Sequence, residues 1–195
     1  MRIIGITGGV GAGKSEILKY LKEVHQAVVV EADKVAHVLM SPGEVCHEKI
    51  VGFFGKEILK EDQTIDRQML GAIVFDNPDK LEQLNKITHP EVKKWIKNEI
   101  EKECSKGTTN LFIVEAALLI EDHYEEICDE LWYIHTDAKI RRKRLKESRG
   151  YDDEKIDGIM ENQLSPEKFQ EACQVMIENS GAFEDTKKQI DKQLG

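Results

Sequence analysis

A glycine-rich loop near the N-terminus fits the spacing G-x-x-x-x-G-K-S through Gly8, Gly13, Lys14 and Ser15. Glycines allow successive backbone N–H groups to point into one concavity, which suits an anionic phosphate. In such loops the lysine contacts the β- and γ-phosphates and the serine hydroxyl ligates Mg²⁺. The loop therefore predicts binding of a nucleoside triphosphate, with ATP as the expected ligand. The predicted nucleotide-binding residues are Gly8, Gly9, Val10, Gly11, Ala12, Gly13, Lys14, Ser15 and Glu16.

Other phosphate-binding patterns fit less well. No G-x-G-x-x-G fingerprint of dinucleotide-binding proteins passes through these glycines. GTP-binding switch proteins read the base with N-K-x-D, whereas "NKIT" at Asn85 ends in threonine. A glycine-rich turn with an incidental lysine would not need a strand before it and a helix after it, and both are predicted here.

A carboxylate, Asp33, follows the second apolar run in "VVVEAD". In a doubly wound sheet the carboxyl ends of the strands line the ligand crevice, so Asp33 is expected near the γ-phosphate. There it would accept the proton of an attacking hydroxyl, orient that hydroxyl, or hold Mg²⁺ through water. The same residue would suit the N-cap of a helix that starts at Lys34. Residue type leaves both roles open, and Glu31 is an alternative for either.

Five short runs of apolar and β-branched residues predict five buried strands. They cover residues 3–6, 27–30, 111–114, 131–134 and 175–177. Helical spacing over residues 14–24 places a helix between the first two strands, which gives a βαβ unit. The predicted fold class is therefore α/β, with a five-stranded parallel sheet flanked by helices.

Two helical excursions interrupt this alternation. Residues 34–106 contain no convincing strand, and residues 138–173 form the second excursion. The second one includes a basic run, 139–149, with seven lysines or arginines against one glutamate. Such a run is more often a solvated helix face than a binding site, so a functional role would require a binding partner close to it. Within the first excursion, amphipathic helices are predicted near residues 35–39, 48–54, 69–75 and 81–100.

Composition restricts the function classes. The 195 residues are 40% hydrophobic and 33% charged, and no apolar run approaches the roughly 20 residues needed to cross a bilayer. A formal net charge of −9 argues against general nucleic-acid binding, which needs a basic face. The short apolar run at the N-terminus lacks the features of a signal peptide, so we expect a cytoplasmic protein with reduced cysteines. We expect neither a nucleic-acid nor a membrane partner, and a monomer or small homo-oligomer.

Eight short sites spread along the chain form a recognisable pattern through their order and spacing. They are "GITGGVGAGKS" (5–15), "EADKVAH" (31–37), "THP" (88–90), "VEAALLIE" (114–121), "CDELW" (128–132), "RLKESRGY" (144–151), Gln163 and "IENSG" (177–181). In this order and at these intervals they resemble the dephospho-coenzyme A kinase family of P-loop kinases over essentially the whole chain. The resemblance implies transfer of the ATP γ-phosphoryl group to the ribose 3′-hydroxyl of dephospho-coenzyme A, a small-molecule substrate.

The resemblance also implies three parts. A nucleotide-binding core would comprise residues 1–33, 107–137 and 173–195. Residues 34–106 would be a helical insertion that binds the coenzyme A substrate, and residues 138–172 would form a helical lid with its return helices. The two helical excursions lie where these last two parts are expected.

Several residues gain a role at the acceptor from the resemblance. Asp33 would be the base or orienting carboxylate for the acceptor hydroxyl. His89 and Leu118 would bind the acceptor, with a place in the core as the alternative for each. Glu115 would contact Mg²⁺-bound water, although the family often has aspartate there. Ala117 stands where the family commonly has proline, which predicts a looser turn.

The resemblance also implies a phosphate ligand for two arginines of the basic run. Arg144 and Arg149 would stabilise charge on the transferred phosphoryl group and on the β-phosphate. Many family members have an arginine where this chain has Ser148, so Arg149 would substitute from the adjacent position. Arg141 and Arg142 are predicted to be surface or substrate-steering charges.

The loop after the last strand is expected near adenine. Asn179 and Gly181 match a family loop whose backbone groups would read the base edge. A turn residue is the alternative role for Asn179. The catalytic residues that the resemblance implies are Asp33, Lys14 and Arg144.

Overall fold

The computed structural model describes residues 1–75 and 77–195. Two compact units make up the chain: the sheet unit contains residues 1–29 and 106–195, and the helical unit contains residues 30–105. The predicted division placed its boundaries at residues 34 and 106. The roles assigned to its three parts stay predictions.

The strands of the described chain form a five-stranded sheet. They are β1 (Arg2–Thr7), β2 (Val28–Glu31), β3 (Leu111–Glu115), β4 (Glu130–His135) and β5 (Val175–Glu178), in the order β2-β3-β1-β4-β5. β1 pairs in parallel with β3 and with β4, and β4 pairs in parallel with β5. Each strand lies within one residue of its predicted bounds, and the parallel sheet is confirmed. Strands covered on both faces are continuous apolar runs, which is why they stand out in the sequence.

The core of the sheet unit packs together β1 and α1, the two elements that flank the glycine loop. Helix α1 (Lys14–Val24) has the predicted bounds, and its Ile17 and Leu21 lie in the same buried cluster as Ile4 and Ile6 of β1. None of these four side chains is exposed. Burial of one isoleucine or leucine side chain contributes about 1.5–3 kcal/mol. This packing therefore fixes the direction in which α1 leaves the loop.

Helices dominate the helical unit. They are α2 (Ala32–Leu39), α3 (Val45–Phe54), α4 (Arg67–Phe75) and α5 (Pro78–Lys106), with a 3₁₀ turn at Lys56–Ile58. Buried apolar side chains, among them Ile50 and Ile58, supply its core. An isolated antiparallel bridge joins Leu59 and Ile65. Within the described residues, the prediction of a strand-poor insertion over residues 34–106 is confirmed.

The second excursion is also helical, as predicted. It contains α6 (Ala138–Arg149), α7 (Asp153–Glu161) and α8 (Pro166–Ala172), and α9 (Phe183–Leu194) follows β5. The Asp152 carboxylate accepts a hydrogen bond from the Lys155 N–H at 2.9 Å and so caps α7, while the Ser165 hydroxyl caps α8. Such caps satisfy amides that a helix start leaves without partners. No helix in the described ranges is long and apolar enough to cross a membrane.

The four cysteines form no disulfide within the described residues. Burial raises the pKa of the Cys173 thiol to about 12 and also raises the pKa of Cys46. A thiol with a raised pKa stays protonated at neutral pH and is a poor nucleophile. Cys104 is exposed on α5.

Candidate active site

The glycine loop connects the carboxyl end of β1 to the start of α1. Gly8, Gly11 and Gly13 have φ angles of 148°, 83° and 86°, in the region that favours glycine. A Cβ on Gly8 would lie 2.6 Å from the Ile134 carbonyl oxygen of β4, so the loop passes too close to the sheet for a side chain. Backbone angles and close packing therefore both require glycine here.

Several amides of the loop are available to a ligand. The N–H groups of Gly11, Gly13, Lys14 and Ser15 donate no hydrogen bond within the described part of the chain. The first amides of a helix lack intrahelical acceptors, and together with the helix dipole they form an anion-binding site. This set of donors fits a triphosphate.

Ser15 is the loop residue that fits a Mg²⁺ ion. It is exposed in the first turn of α1. No group of three or more histidine, cysteine, aspartate or glutamate side chains in residues 1–75 and 77–195 could hold a metal ion by itself. Mg²⁺ is usually bound by one or two protein oxygens together with phosphates and water. The Ser15 hydroxyl supplies such an oxygen.

Lys14 is held between the loop and β3. Its Nζ donates to the Gly8 carbonyl oxygen at 2.7 Å and lies 3.5 Å from Glu115 Oε1. Glu115 ends β3 and pairs with Ile6 of β1, which brings its carboxylate beside the loop. The parallel sheet thus brings together two predicted site residues that lie far apart in the sequence.

Val10 is held at both of its main-chain polar groups. Arg141 Nε donates to the Val10 carbonyl oxygen at 2.9 Å, and the Val10 N–H donates to Gln163 Oε1 at 3.3 Å. A second nitrogen of Arg141 donates to the same Gln163 oxygen. The prediction that Arg141 is a surface charge is wrong, because α6 turns this side chain onto the loop. The alternative of a substrate-steering charge stays a prediction. Successive helical residues point about 100° apart, so Arg142 can occupy a different face.

The Ala12 carbonyl oxygen accepts three hydrogen bonds. The donors are Thr136 Oγ1 at 3.0 Å, Asn179 Nδ2 at 2.7 Å and an Arg144 nitrogen at 3.3 Å. Arg144 also donates to the Asn179 carbonyl oxygen at 2.9 Å. The Asn179 side chain is buried, and its Oδ1 accepts a hydrogen bond from Thr186 Oγ1 at 2.8 Å. Asn179 is therefore a support of the loop rather than a turn residue.

Sequence reasoning missed three of these supports: Arg141, Thr136 and Thr186. Thr136 directly follows β4, and the carboxyl ends of parallel strands meet at one edge of a sheet. This position at the end of a strand could have predicted Thr136 as a residue near the loop. Thr186 and Arg141 lie on helices, where the sequence alone does not tell which face meets the loop.

The other predicted ligand contacts of the sheet unit lie on the surface. The Arg149 guanidinium carbon lies 5.9 Å from the ring centroid of Tyr151. Leu119 is fully buried in the core, whereas Leu118 is 40% exposed. Their roles toward a ligand stay predictions. The exposed residues of this set are Glu16, Leu118, Arg149 and Gly181.

Asp33 lies in the helical unit, in the first turn of α2. The helix begins at Ala32, and its N-cap is Glu31, which has an extended backbone and makes no capping bond with its side chain. The N-cap alternative for Asp33 is therefore wrong, because β2 leads directly into a helix that starts earlier than predicted. Glu31 pairs with Lys34 at 2.6 Å. The Asp33 carboxylate is exposed and forms no hydrogen bond or ion pair within the described residues, so it is available to a ligand.

The helical unit contains an open cavity of about 520 Å³. His37, Lys60 and Arg67 contribute basic groups to its lining, and Met40 contributes an apolar surface. Neither Lys60 nor Arg67 forms an ion pair with a carboxylate of the described ranges. Asp66 also lines the cavity, but its Oδ1 accepts hydrogen bonds from two amides at the start of α4. The cavity therefore suits an anionic group.

His89 lies on α5, directly before Pro90, and is partly buried. The His89 side chain interacts with other residues of the chain. Its predicted role in binding an acceptor stays a prediction.

The fold and the loop define a class of protein. A strand, a glycine loop of this spacing and a helix that begins with lysine, built into a parallel sheet, are the features of P-loop nucleotide-binding proteins, a class that includes the P-loop kinases. A shikimate kinase from Acinetobacter baumannii, solved in complex with shikimate, shares the fold with a TM-score of 0.53 and 12% identity. That comparison covers 100% of this chain and 91% of the other.

Closer similarities identify the family. The profile of the family described as Dephospho-CoA kinase matches residues 2–185. A dephospho-CoA kinase from Carboxydothermus hydrogenoformans is 37% identical over 188 residues, which cover 96% of this chain and 90% of the relative. The solved dephospho-CoA kinase from Campylobacter jejuni has a TM-score of 0.72 and 25% identity, with coverage of 100% of this chain and 96% of that one. The chain belongs to the dephospho-CoA kinase family, and the resemblance found in the sequence is confirmed.

Proposed function

We propose that this protein transfers the γ-phosphoryl group of ATP to the ribose 3′-hydroxyl of dephospho-coenzyme A. The products are coenzyme A and ADP, which makes the reaction the final step of coenzyme A synthesis. One observation carries the proposal: the loop before α1 presents unpaired amides and Lys14 to an anion, in a chain that matches this kinase family over residues 2–185.

In the proposed reaction the 3′-hydroxyl oxygen attacks the γ-phosphorus. The bond between the γ-phosphorus and the β–γ bridging oxygen breaks, and ADP leaves with its electron pair. Asp33 accepts the proton of the hydroxyl. The Asp33 carboxylate is exposed and has no partner among the described residues. This supports the role, because a general base must be free to bond to the group that it deprotonates.

Positive groups of the sheet unit stabilise the charge of the transferred group. Lys14 and the loop amides bind the β- and γ-phosphates, and Arg144 offsets charge that develops on them. Ser15 would hold Mg²⁺, with Glu115 or Asp33 contacting the ion through water. The bound ion would neutralise part of the charge of the phosphates. The family match supports ATP as the phosphoryl donor, and Ser15 supports the metal.

The acceptor binds to the helical unit. Lys60 and Arg67 of the cavity are suited to the diphosphate of dephospho-coenzyme A. His89 of the same unit and Leu118 of the sheet unit are the further proposed contacts of the acceptor. We further propose a cytoplasmic enzyme without nucleic-acid or membrane partners, in keeping with the formal net charge of −9.

The decisive experiment mixes the purified protein with Mg-ATP and dephospho-coenzyme A and measures coenzyme A by mass spectrometry and ADP by a coupled assay. We expect stoichiometric formation of both products. Shikimate and adenosine serve as alternative acceptors. Efficient phosphorylation of another alcohol, without formation of coenzyme A, would contradict the proposed acceptor. Binding of ATP without turnover of any acceptor would instead indicate a protein that has lost catalysis.

A further inference from the structure

Arg141 packs directly on the glycine loop. Its Nε donates to the Val10 carbonyl oxygen at 2.9 Å, and a Cβ on Gly9 would overlap the guanidinium group. Glycine at position 9 therefore makes room for this arginine as well as for the turn. Gln163 links the two partners, because its Oε1 accepts hydrogen bonds from both Arg141 and the Val10 N–H.

The charge of Arg141 has no counter-charge among the residues that the structure describes. Its two acceptors, the Val10 carbonyl and the Gln163 amide oxygen, are both neutral. No carboxylate of the described ranges forms an ion pair with it. Burial lowers the pKa of Arg141, because poorly solvated surroundings disfavour the cation, yet arginine stays protonated at neutral pH. A partly buried cation without a counter-charge is destabilising unless an anion binds beside it.

Arg142 shows the opposite arrangement on the same helix. Its guanidinium pairs with Asp153 at 2.8 Å and also with Asp157. These hydrogen bonds raise the pKa of Arg142. Its charge is therefore neutralised by α7, and its side chain makes none of the contacts with the loop that Arg141 makes. Arg142 is therefore a matched control for Arg141.

We propose that Arg141 is a nucleotide-binding residue, which holds the loop at Val10 and contributes its uncompensated positive charge to binding of the triphosphate. The inference rests on the proposed use of ATP and extends it by one residue. Arg141 hydrogen-bonds to the loop, whereas Arg149 is exposed and lies near the ring of Tyr151.

The test measures Mg-ATP binding to the full chain by isothermal titration calorimetry, without any acceptor. Loss of one charged hydrogen-bonding group at a site of this kind weakens binding about 10- to 100-fold. We therefore expect Arg141→Met to weaken ATP binding by that factor and Arg142→Met to leave it within about threefold. Adenosine binding should change little in either variant, because adenosine carries no phosphate. The KM for ATP should rise in Arg141→Met, and the KM for dephospho-coenzyme A should not.

Equal losses for ATP and adenosine in Arg141→Met would overturn the inference, since they would indicate disturbed packing. Unchanged ATP binding would overturn it as well. Two further variants cover the case in which the methionine variant does not fold. Arg141→Lys keeps the charge without the two directed hydrogen bonds of the guanidinium, and Arg141→Gln keeps a hydrogen-bonding group without the charge. ATP binding should be weakened less in Arg141→Lys than in Arg141→Gln, and an equal or larger loss in the lysine variant would refute a role of the charge. Because the calorimetric titrations contain no acceptor, a failure to form coenzyme A would refute the proposed function and leave this inference standing.

Discussion

The glycine loop and the candidate acceptor residues are held in opposite ways. In the sheet unit, the Ala12 carbonyl alone accepts three hydrogen bonds, and Lys14 is held by the Gly8 carbonyl oxygen. In the helical unit, Asp33 is exposed without a partner in the described residues, and Lys60 and Arg67 line an open cavity. Groups that stabilise charge act best when they are fixed in advance, whereas a base and a substrate-binding cation must stay free to meet their ligand.

This difference predicts different consequences for substitutions. In the sheet unit, a substitution removes both a ligand contact and part of the network that holds the loop. In the helical unit, it removes a ligand contact and leaves the fold nearly unchanged. Activity and stability should therefore change together in the first region and separately in the second.

Lys14→Ala should have the largest effect. It removes the positive charge from the phosphate site and the hydrogen bond to the Gly8 carbonyl oxygen, and we expect kcat/KM to fall about 1000-fold. Steady-state assays with ATP and dephospho-coenzyme A measure this. Lys19→Ala, on the exposed face of the same helix, is the control and should be nearly neutral. Activity near that of the parent would contradict the assignment of the loop.

Asp33→Asn should lower kcat by about 100-fold or more if the carboxylate is the general base. The melting temperature should hardly change, because Asp33 does not cap α2. Asp79→Asn makes the same change in the first turn of α5 and controls for the helix dipole. A loss of stability with normal kcat would show that Asp33 supports the helix and does not act in catalysis.

Arg144→Ala should slow phosphoryl transfer about tenfold, and more than it weakens ATP binding, because charge on the transferred group grows in the transition state. Single-turnover rates compared with ATP dissociation constants separate the two effects. The variant should also melt earlier, since Arg144 donates to the Ala12 and Asn179 carbonyls. Lys143→Ala is the neighbouring control on the exposed face of α6. An unchanged transfer rate would leave Arg144 with a structural role alone.

Arg67→Ala tests the cavity of the helical unit. Removing a charged group that binds a diphosphate should raise the KM for dephospho-coenzyme A about tenfold. The KM for ATP and the melting temperature should stay as in the parent, because Arg67 is exposed and forms no ion pair with another described residue. Lys56→Ala removes an exposed cation outside the cavity lining and serves as the control. Equal changes in both variants would indicate a general effect of charge.

Chemical labelling of the cysteines should have the smallest effect on activity, and it compares a cysteine of each unit. Burial raises the pKa of Cys173 to about 12, so its thiolate fraction at pH 8 is very small, whereas Cys104 is exposed on α5. A thiol reagent should therefore label Cys104 quickly and the partly buried Cys173 much more slowly, with little loss of activity. Peptide mass spectrometry after timed labelling at pH 8 measures both rates. Labelling of Cys173 in the native protein as fast as that of Cys104 would contradict the raised pKa of its thiol.

Expectations from the sequence failed where a side chain's direction mattered. Arg141 and Arg142 are both part of one basic run, yet one binds the Val10 carbonyl and the other pairs with Asp153. Composition cannot distinguish them, because only the packing of α6 decides which face meets the loop. The N-cap alternative for Asp33 failed for a local reason, since α2 starts at Ala32 instead of Lys34.

The sequence by itself determined the strand order along the chain, the glycine loop, α1 and the family. These features depend on residues close together in the chain: continuous apolar runs, fixed glycine spacing and one helical face. Only the tertiary structure decided that Glu115 meets Lys14, that Thr136, Asn179 and Arg144 share the Ala12 carbonyl, and that Arg141 rests on the loop. Those contacts depend on strand register and helix rotation, which are set by core packing between segments distant in the chain.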